Sequence, residues 1–524
     1  MNEKNTEHQI AGAFGTIKED SGNRKGLRAR FLTLLAIIGP GLIVMVGDND
    51  AGGVSTYAQA GQNFGYSLLW TLPLLIPVLI INQEMVARLG AVTGVGHGRL
   101  IRERFGRYWG NVSMGSILLL NFLIIVTEFI GISLSMKYFG VSPYLSVPVA
   151  VFLLFIVTAS GSFQRWERFM MVFVAVNFFV VPLVLLTKPH FGQVLSHAVT
   201  PHIRGGATSS SVLLIISIIG TTVAPWQLYF QQSNIVDKKI TPRWLNYERV
   251  DTILGSIIVV IGASALIAAA AAGLSGHGGT NSFTDALGVA RGLGHYVGHG
   301  SGTVFAILLL NASVIGAAAV TLASSYALGD LTGQRQSLNS RLRDAKGFYG
   351  AFGGILAVAG IVTLVPGAPL GLITLAVQAM CGLMLPSTTI FVLLLCNDRA
   401  VLGPWVNGKW LNAVATVIVT VLVVLSMTMM VSTLFSSINV VKLLTWLAGA
   451  AGVGLIIGVP LQLRRSLPAA DYDIDKRDWR TPRLTLLEPL PTSFARKILL
   501  RSVATYLVVA GTLLVVRIVQ LASS

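Results

Sequence analysis

The chain has 524 residues, of which 53% are hydrophobic and only 11% charged, and its mean hydropathy is +0.72. Water-soluble globular domains do not reach that balance, so it reads as an all-α polytopic membrane protein whose surroundings are the lipid bilayer. The net charge of +16 does not call for a nucleic-acid partner, because the basic residues fall in short stretches between apolar runs, where the positive-inside rule accounts for them.

Residues 1–30 are polar and lack the apolar core and small-residue cleavage site of a signal peptide, so the first span itself should direct insertion. Stretches long and apolar enough to cross a bilayer lie near 31–62, 66–90, 112–138, 142–161, 166–188, 211–235, 250–274, 302–329, 347–366, 368–396, 409–435 and 440–462. Connections after even-numbered spans are basic: Arg88 to Arg107, Arg165 to Arg168, Lys238 to Arg249, Arg335 to Lys346, Arg399 to Lys409 and Arg464 to Arg480. They belong in the cytoplasm, which puts the N-terminus inside a cell membrane. A missed or invented span would reverse the sign of every later loop. After a cytoplasmic linker over 463–498, residues 499–521 form a thirteenth candidate carrying Arg501 and Arg517. Snorkelling arginines permit it to span, and an amphipathic surface helix is the rival.

Two spans are interrupted. In the first, Gly47-Asp48-Asn49-Asp50-Ala51-Gly52-Gly53 puts two carboxylates and three glycines into an apolar run, the pattern of a broken helix that holds a cation. Five spans later, Gly220-Thr221-Thr222-Val223-Ala224-Pro225-Trp226 breaks the sixth, where proline removes a backbone donor. Corresponding breaks predict an inverted repeat, spans one to five over 31–188 against six to ten over 211–396, with 409–462 added as two further spans. Unwound backbone at that depth lines a cavity, and its freed carbonyls are cation ligands.

Gly39-Pro40-Gly41, Asp50-Ala51-Gly52-Gly53, Gln59-Ala60-Gly61 and Phe64-Gly65-Tyr66-Ser67-Leu68-Leu69-Trp70 together resemble the first two spans of the NRAMP family of divalent-metal transporters. Ala87-Arg88-Leu89-Gly90, Thr93-Gly94, Arg102-Glu103-Arg104-Phe105, Ala224-Pro225-Trp226-Gln227-Leu228-Tyr229, Gln378 and Leu385-Pro386 extend the resemblance over residues 30 to 440. It implies a LeuT-type fold, 5+5 spans plus C-terminal helices for 12–13 in all, alternating access, and a site between the broken helices.

The departures carry chemistry. Where the family's motifs read Asp-Pro-Gly-Asn and Met-Pro-His, this chain has Asp50-Ala51-Gly52-Gly53 and Ala224-Pro225-Trp226, so the aspartate ligand stays while the asparagine and methionine positions are Gly53 and Ala224. The family's second sixth-span histidine falls at Gln231, and of two third-span acids one falls at Ile125 and the other is kept as Glu128. Losing the thioether removes discrimination against hard cations. Losing side-chain volume makes room for an ion that keeps its waters. This resembles the NRAMP-related magnesium transporters. It implies Asp50 as the charged ligand, Gly47 and Thr221 as carbonyl ligands, Gln378 on the water shell, and Thr222, Trp226, Gln231 and Glu128 in transport or gating. Asp48 is either a second charge in the ligand shell or a cap on the half-helix beginning after the glycines.

The expected function is Mg²⁺ uptake, with Mn²⁺ possible, by a monomer without strict proton coupling and without a cofactor. A proton-coupled Mn²⁺ or Fe²⁺ importer is the alternative within the family, and a non-transporting metal sensor the alternative outside it. No nucleophile sits beside a base, so enzyme function is not expected. Glu84 and Arg88 are spaced to pair within one helix. Asn82, Asn121, Asn177 and Asn311 read as interhelical hydrogen-bonding groups. Cys381 and Cys396 read as buried small hydrophobes. His97 falls in a cytoplasmic loop, and the six histidines from His190 to His299 fall in outer loops, solvated or at most weakly metal-binding. No histidine lies in a span, so a buried imidazole relay is not expected.

Overall fold

The computed structural model describes residues 9–18, 26–277, 283–333, 337–435, 437–464, 475–487 and 494–523, so the linker expected over 463–498 lies partly outside the described residues. The polar tail is more than a tail. Its β1 (Gln9–Gly12) and β2 (Gly15–Lys18) form an antiparallel hairpin in which Ile10 pairs with Ile17. Both isoleucines are buried, whereas Thr16 and Lys18 are exposed, which is the period-two alternation of a half-buried ribbon.

The first span also differs from expectation. α1 (Leu27–Ile37) is bent by 51° from α2 (Pro40–Gly47), so residues 31–37 belong to a separate helix. Gly39, at φ +149°, makes the turn, and Pro40 opens the next helix where its missing N–H costs nothing. α3 (Ala51–Phe64) completes the interrupted span.

A 3₁₀ turn leads into α4 (Leu75–Thr93), followed by the short α5 (His97–Phe105), the long α6 (Arg107–Tyr138), α7 (Pro143–Thr158), the consecutive pair α8 (Phe163–Val176) and α9 (Val180–Thr187), and α10 (Phe191–Val199). The second half begins with the interrupted span, α11 (Ser209–Thr222) and α12 (Pro225–Asp237). Then come α13 (Leu245–Leu274), the short α14 (Ala286–Tyr296), α15 (His299–Thr332), α16 (Lys346–Thr363), α17 (Leu370–Cys396) and a turn of helix, α18 (Arg399–Leu402). α19 (Lys409–Leu434), α20 (Val440–Arg464) and α21 (Phe494–Ser523) complete the chain. Among the described residues ten helical stretches are long and apolar enough to cross a bilayer, or eleven with α1 and α2 taken as one, against the twelve to thirteen expected. The sixteen residues of α7 and the apolar stretch Leu500–Leu513 of α21 fall short of that length. α21 buries Val503, Leu507 and Ala510, one helical face, and packs along α17 and α19.

Small residues set the spacing around the broken spans. A Cβ on Gly61 of α3 would stand 2.4 Å from the Ile267 carbonyl oxygen of α13, and one on Gly220 of α11 would stand 2.4 Å from the Gly382 nitrogen of α17. Each half-helix therefore touches its neighbour backbone to backbone, as membrane helices do at small residues.

Candidate metal centre

Both breaks are built from cap chemistry. α2 ends at Gly47, and Asp50 takes the N-cap position of α3, where its Oδ1 accepts the Gly53 N–H at 2.7 Å. The second half-helix thus starts before the glycines, and the capping residue is Asp50, which corrects the capping alternative for Asp48. The Asp48 carboxylate instead reaches the other broken span, where its Oδ1 accepts a hydrogen bond from Gln227 Nε2. Gln227 Oε1 in turn accepts from Gln83 Nε2 at 2.9 Å.

In the sixth span the break falls at Val223 and Ala224, and Pro225 opens α12. Tyr57 of α3 ties the two spans together, its hydroxyl 2.8 Å from Thr222 Oγ1. Thr222 is therefore committed to this contact. A Cβ on Gly53 would lie 3.0 Å from the Asp48 carbonyl oxygen and 3.3 Å from Thr221 Oγ1, so the asparagine position, in the gap between the two breaks, is closely walled by those two oxygens. Gln378 of α17 presses on the same turn, with its Nε2 where a Gly52 side chain would be. From α6, Glu128 Oε2 accepts the Ala51 N–H at 3.1 Å.

Asp48, Asp50, Thr221, Gln378 and Glu128 are all at most 2% exposed. Around this gap Asp48 Oδ2, Thr221 Oγ1, Gln378 Nε2 and Glu128 Oε1 have no hydrogen-bond partner. Buried polar atoms left open in one place are the signature of a site for water or an ion. No three His, Cys, Asp or Glu side chains converge to hold a metal among the described residues, and the carboxylates of Asp48, Asp50 and Glu128 stand around the gap together with hydroxyl, amide and carbonyl groups.

A family model, natural resistance-associated macrophage protein-like, matches residues 41–432. The chain belongs to the Nramp family. The divalent metal cation transporter MntH of Bacillus subtilis is 27% identical over 437 residues, covering 77% of this chain and 93% of that protein. Its namesake in Ralstonia nicotianae is 29% identical over 400 residues, covering 73% and 87%. A mutant of the Eremococcus coleocola manganese transporter superposes with a TM-score of 0.63 at 19% identity, covering 87% of this chain and 98% of that one. The LeuT-type fold expected of an Nramp protein is therefore the fold observed, and the chain is a multi-pass membrane transporter of divalent metal. The narrower magnesium-transporting branch is not singled out by these relatives, whose names carry divalent metal or manganese.

Other Nramp positions sit apart from the gap. Trp226 lies beneath it, its ring 3.5 Å from a Cβ placed on Gly47, and Ala224 is buried at the first turn of α12. Gln231 points away toward α13, donating to Thr252 Oγ1 at 3.0 Å and Glu248 Oε1 at 3.3 Å. Cys381 and Cys396 are free and buried.

Glu84 and Arg88 pair at 3.1 Å as their spacing requires, and Arg249 joins at 2.7 Å from α13. Asn121 bonds across helices to Ser324, and Asn311 to the Phe173 carbonyl, but Asn177 bonds within its own helix and Asn82 Nδ2 finds no partner. His97 is in its loop helix yet fully buried, 2.9 Å from Gln232 Oε1.

The chief omission of the sequence reading is Gln227, quoted in a motif without a role. A glutamine two residues past the helix-breaking proline, in an apolar span, is signal enough.

Proposed function

We propose that this chain carries a hard divalent cation across the membrane by alternating access, holding it in the gap between α2–α3 and α11–α12. The observation that supports this is the group of buried, unpartnered polar atoms there. Asp50 supplies charge from the N-cap, Asp48 a second charge through Oδ2, and the Gly47 and Thr221 carbonyls oxygen at half-helix ends that lack intrahelical partners. Gln378, whose open atom is a donor, serves the ion's water shell.

No sulfur or imidazole belongs to this donor set, which suits Mg²⁺ or Mn²⁺ and not a soft ion. Between the two, the names of the relatives favour Mn²⁺, so the proton-coupled importer has more support than uncoupled Mg²⁺ uptake. Glu128 supports the same side. It lies against the Asp50 turn, and a proton held between two neighbouring carboxyls would be expelled by an arriving dication. The magnesium reading keeps one specific support, the replacement of the asparagine and methionine side chains by Gly53 and Ala224, which removes two direct ligands and suits an ion that retains its waters. The loop charges support a cytoplasmic N-terminus in a cell membrane, and we take the working unit to be a monomer.

Proteoliposomes with entrapped Mn²⁺, Mg²⁺ and pH indicators test these readings together. Mn²⁺ entry with internal acidification is the expected result. Mg²⁺ entry at constant pH would restore the magnesium reading, and no flux of either ion would defeat transport at this site.

A further inference from the structure

Below the gap, α12 presents Gln227, Gln231, Asn234 and Lys238 at helical spacing, one face of the helix, all at most 3% exposed. Polar side chains buried at such depth are costly and mark function. Facing them are Glu248 and Asp251 of α13 and Glu167 of α8. Part of this group has a structural explanation. Asp251 accepts the N–H groups of Gly39, Gly41 and Leu42 at 3.0, 2.8 and 3.1 Å. Lys238 Nζ donates to the Ile37 and Ile38 carbonyls at 2.7 and 3.1 Å and pairs with Glu167 Oε1 at 2.6 Å. Together they clamp the α1–α2 bend.

The clamp leaves other atoms unexplained. Glu248 Oε2, Gln231 Oε1, Glu167 Oε2 and both side-chain polar atoms of Asn234 are buried without a partner. Glu248 is 0% exposed, and among the described residues its carboxylate accepts from Gln231, itself one turn from the Gln227 that holds Asp48. When ionised, three carboxylates against one ammonium leave two negative charges, the charge of one divalent cation.

We propose that this cluster is a second, transient station for the transported ion, centred on Glu248 with the Gln231 amide oxygen beside it. It takes a partly hydrated divalent cation as the ion leaves the gap toward the N-terminal face. One carboxylate and an amide acting largely through water give weak binding, which a release step requires. This inference rests on the reading of the chain as a divalent-cation transporter.

The test titrates the full-length protein in detergent with Mn²⁺ and reads free Mn²⁺ by electron paramagnetic resonance. Asp50→Ala should lose the tighter binding and retain a weaker event, which Asp50→Ala/Glu248→Gln should lose by tenfold or more in affinity. Asp50→Ala/Gln231→Leu, which keeps the carboxylate, covers the case in which the glutamine variant does not fold, and should weaken the residual event severalfold. Residual binding unchanged in the folded double variants, or absent from Asp50→Ala itself, overturns the second station. Tight binding that survives Asp50→Ala overturns the primary-site reading instead, and the Glu248 arm then stands on its own.

Discussion

Asp50 combines two roles that substitution can separate, a negative charge at the gap and the cap on α3. Asp50→Asn keeps a good capping residue and should abolish uptake in proteoliposomes with little change in melting temperature. Asp50→Ala should abolish uptake and also cost about 1 kcal/mol of stability. The asparagine and methionine positions can be refilled. Gly53→Asn with Ala224→Met places new donors beside the Asp48 carbonyl and Thr221 and should strengthen Cd²⁺ competition by about tenfold, ~1.4 kcal/mol. Unchanged selectivity would mean that the gap does not choose the ion. At His97, outside the spans, burial pushes the imidazole down to about 4. The unfolded chain then binds a proton below its ordinary value near 6.5 that the folded chain refuses until about 4, so stability falls as pH drops through that window, by about 3 kcal/mol. Melting temperatures at pH 7 and 4.5 should converge more closely in His97→Asn than in the parent. Burial of a loop histidine is not legible in the sequence, since it comes from the docking of α5 on α6, α15 and α12, where the ring meets Tyr229 and Gln232.

Elements with strong local signals were the most legible. The second break announced itself through Pro225, and the first through carboxylates in an apolar run. The edges were less visible. Gly39-Pro40 carries a helix-start signal, yet apolar residues on both sides hide the bend, because hydropathy does not register direction. The start of α3 was misplaced because glycines invite a break, whereas an aspartate with an open N–H three residues on makes the better cap. The contacts of Gly61 and Gly220 are invisible in one chain read by itself. Gly61→Val, driven against the Ile267 carbonyl, should lower stability by about 3 kcal/mol and reduce the yield of monodisperse protein. The clamp can be loosened too. In a Val46→Cys background, Asp251→Ala frees three N–H groups of the bend and should speed labelling by a polar maleimide added from the N-terminal face. An unchanged rate would show that Asp251 does not hold α2 shut.

For the whole molecule, the succession of apolar runs and the two broken spans make a many-spanning LeuT-type bundle legible in the sequence. What they could not reveal was how the ends of the chain return to the bundle. β1 and β2 are four residues each, too short for periodicity to stand out from a polar surround, and their burial is decided by partners on α1 and, more than a hundred residues away, on α8. Gln164 donates to the Gly12 carbonyl at 2.9 Å and Arg168 to that of Ala13 at 3.0 Å, while a Cβ on Gly12 would meet the Ala36 carbonyl at 2.0 Å. The hairpin is thus wedged between α1, which leads the first span, and α8, which belongs to the fifth. A helix leaving the N-terminal face must either carry this wedge along or slide past it. The travelling piece is then hairpin, α1 and α2 together, and its inertia and tethering are written in residues that cross no membrane. A chain beginning at Gly26 would keep all of its spans and lose one of the two parts that couple the first of them to the fifth, leaving the Glu167 clamp to act alone.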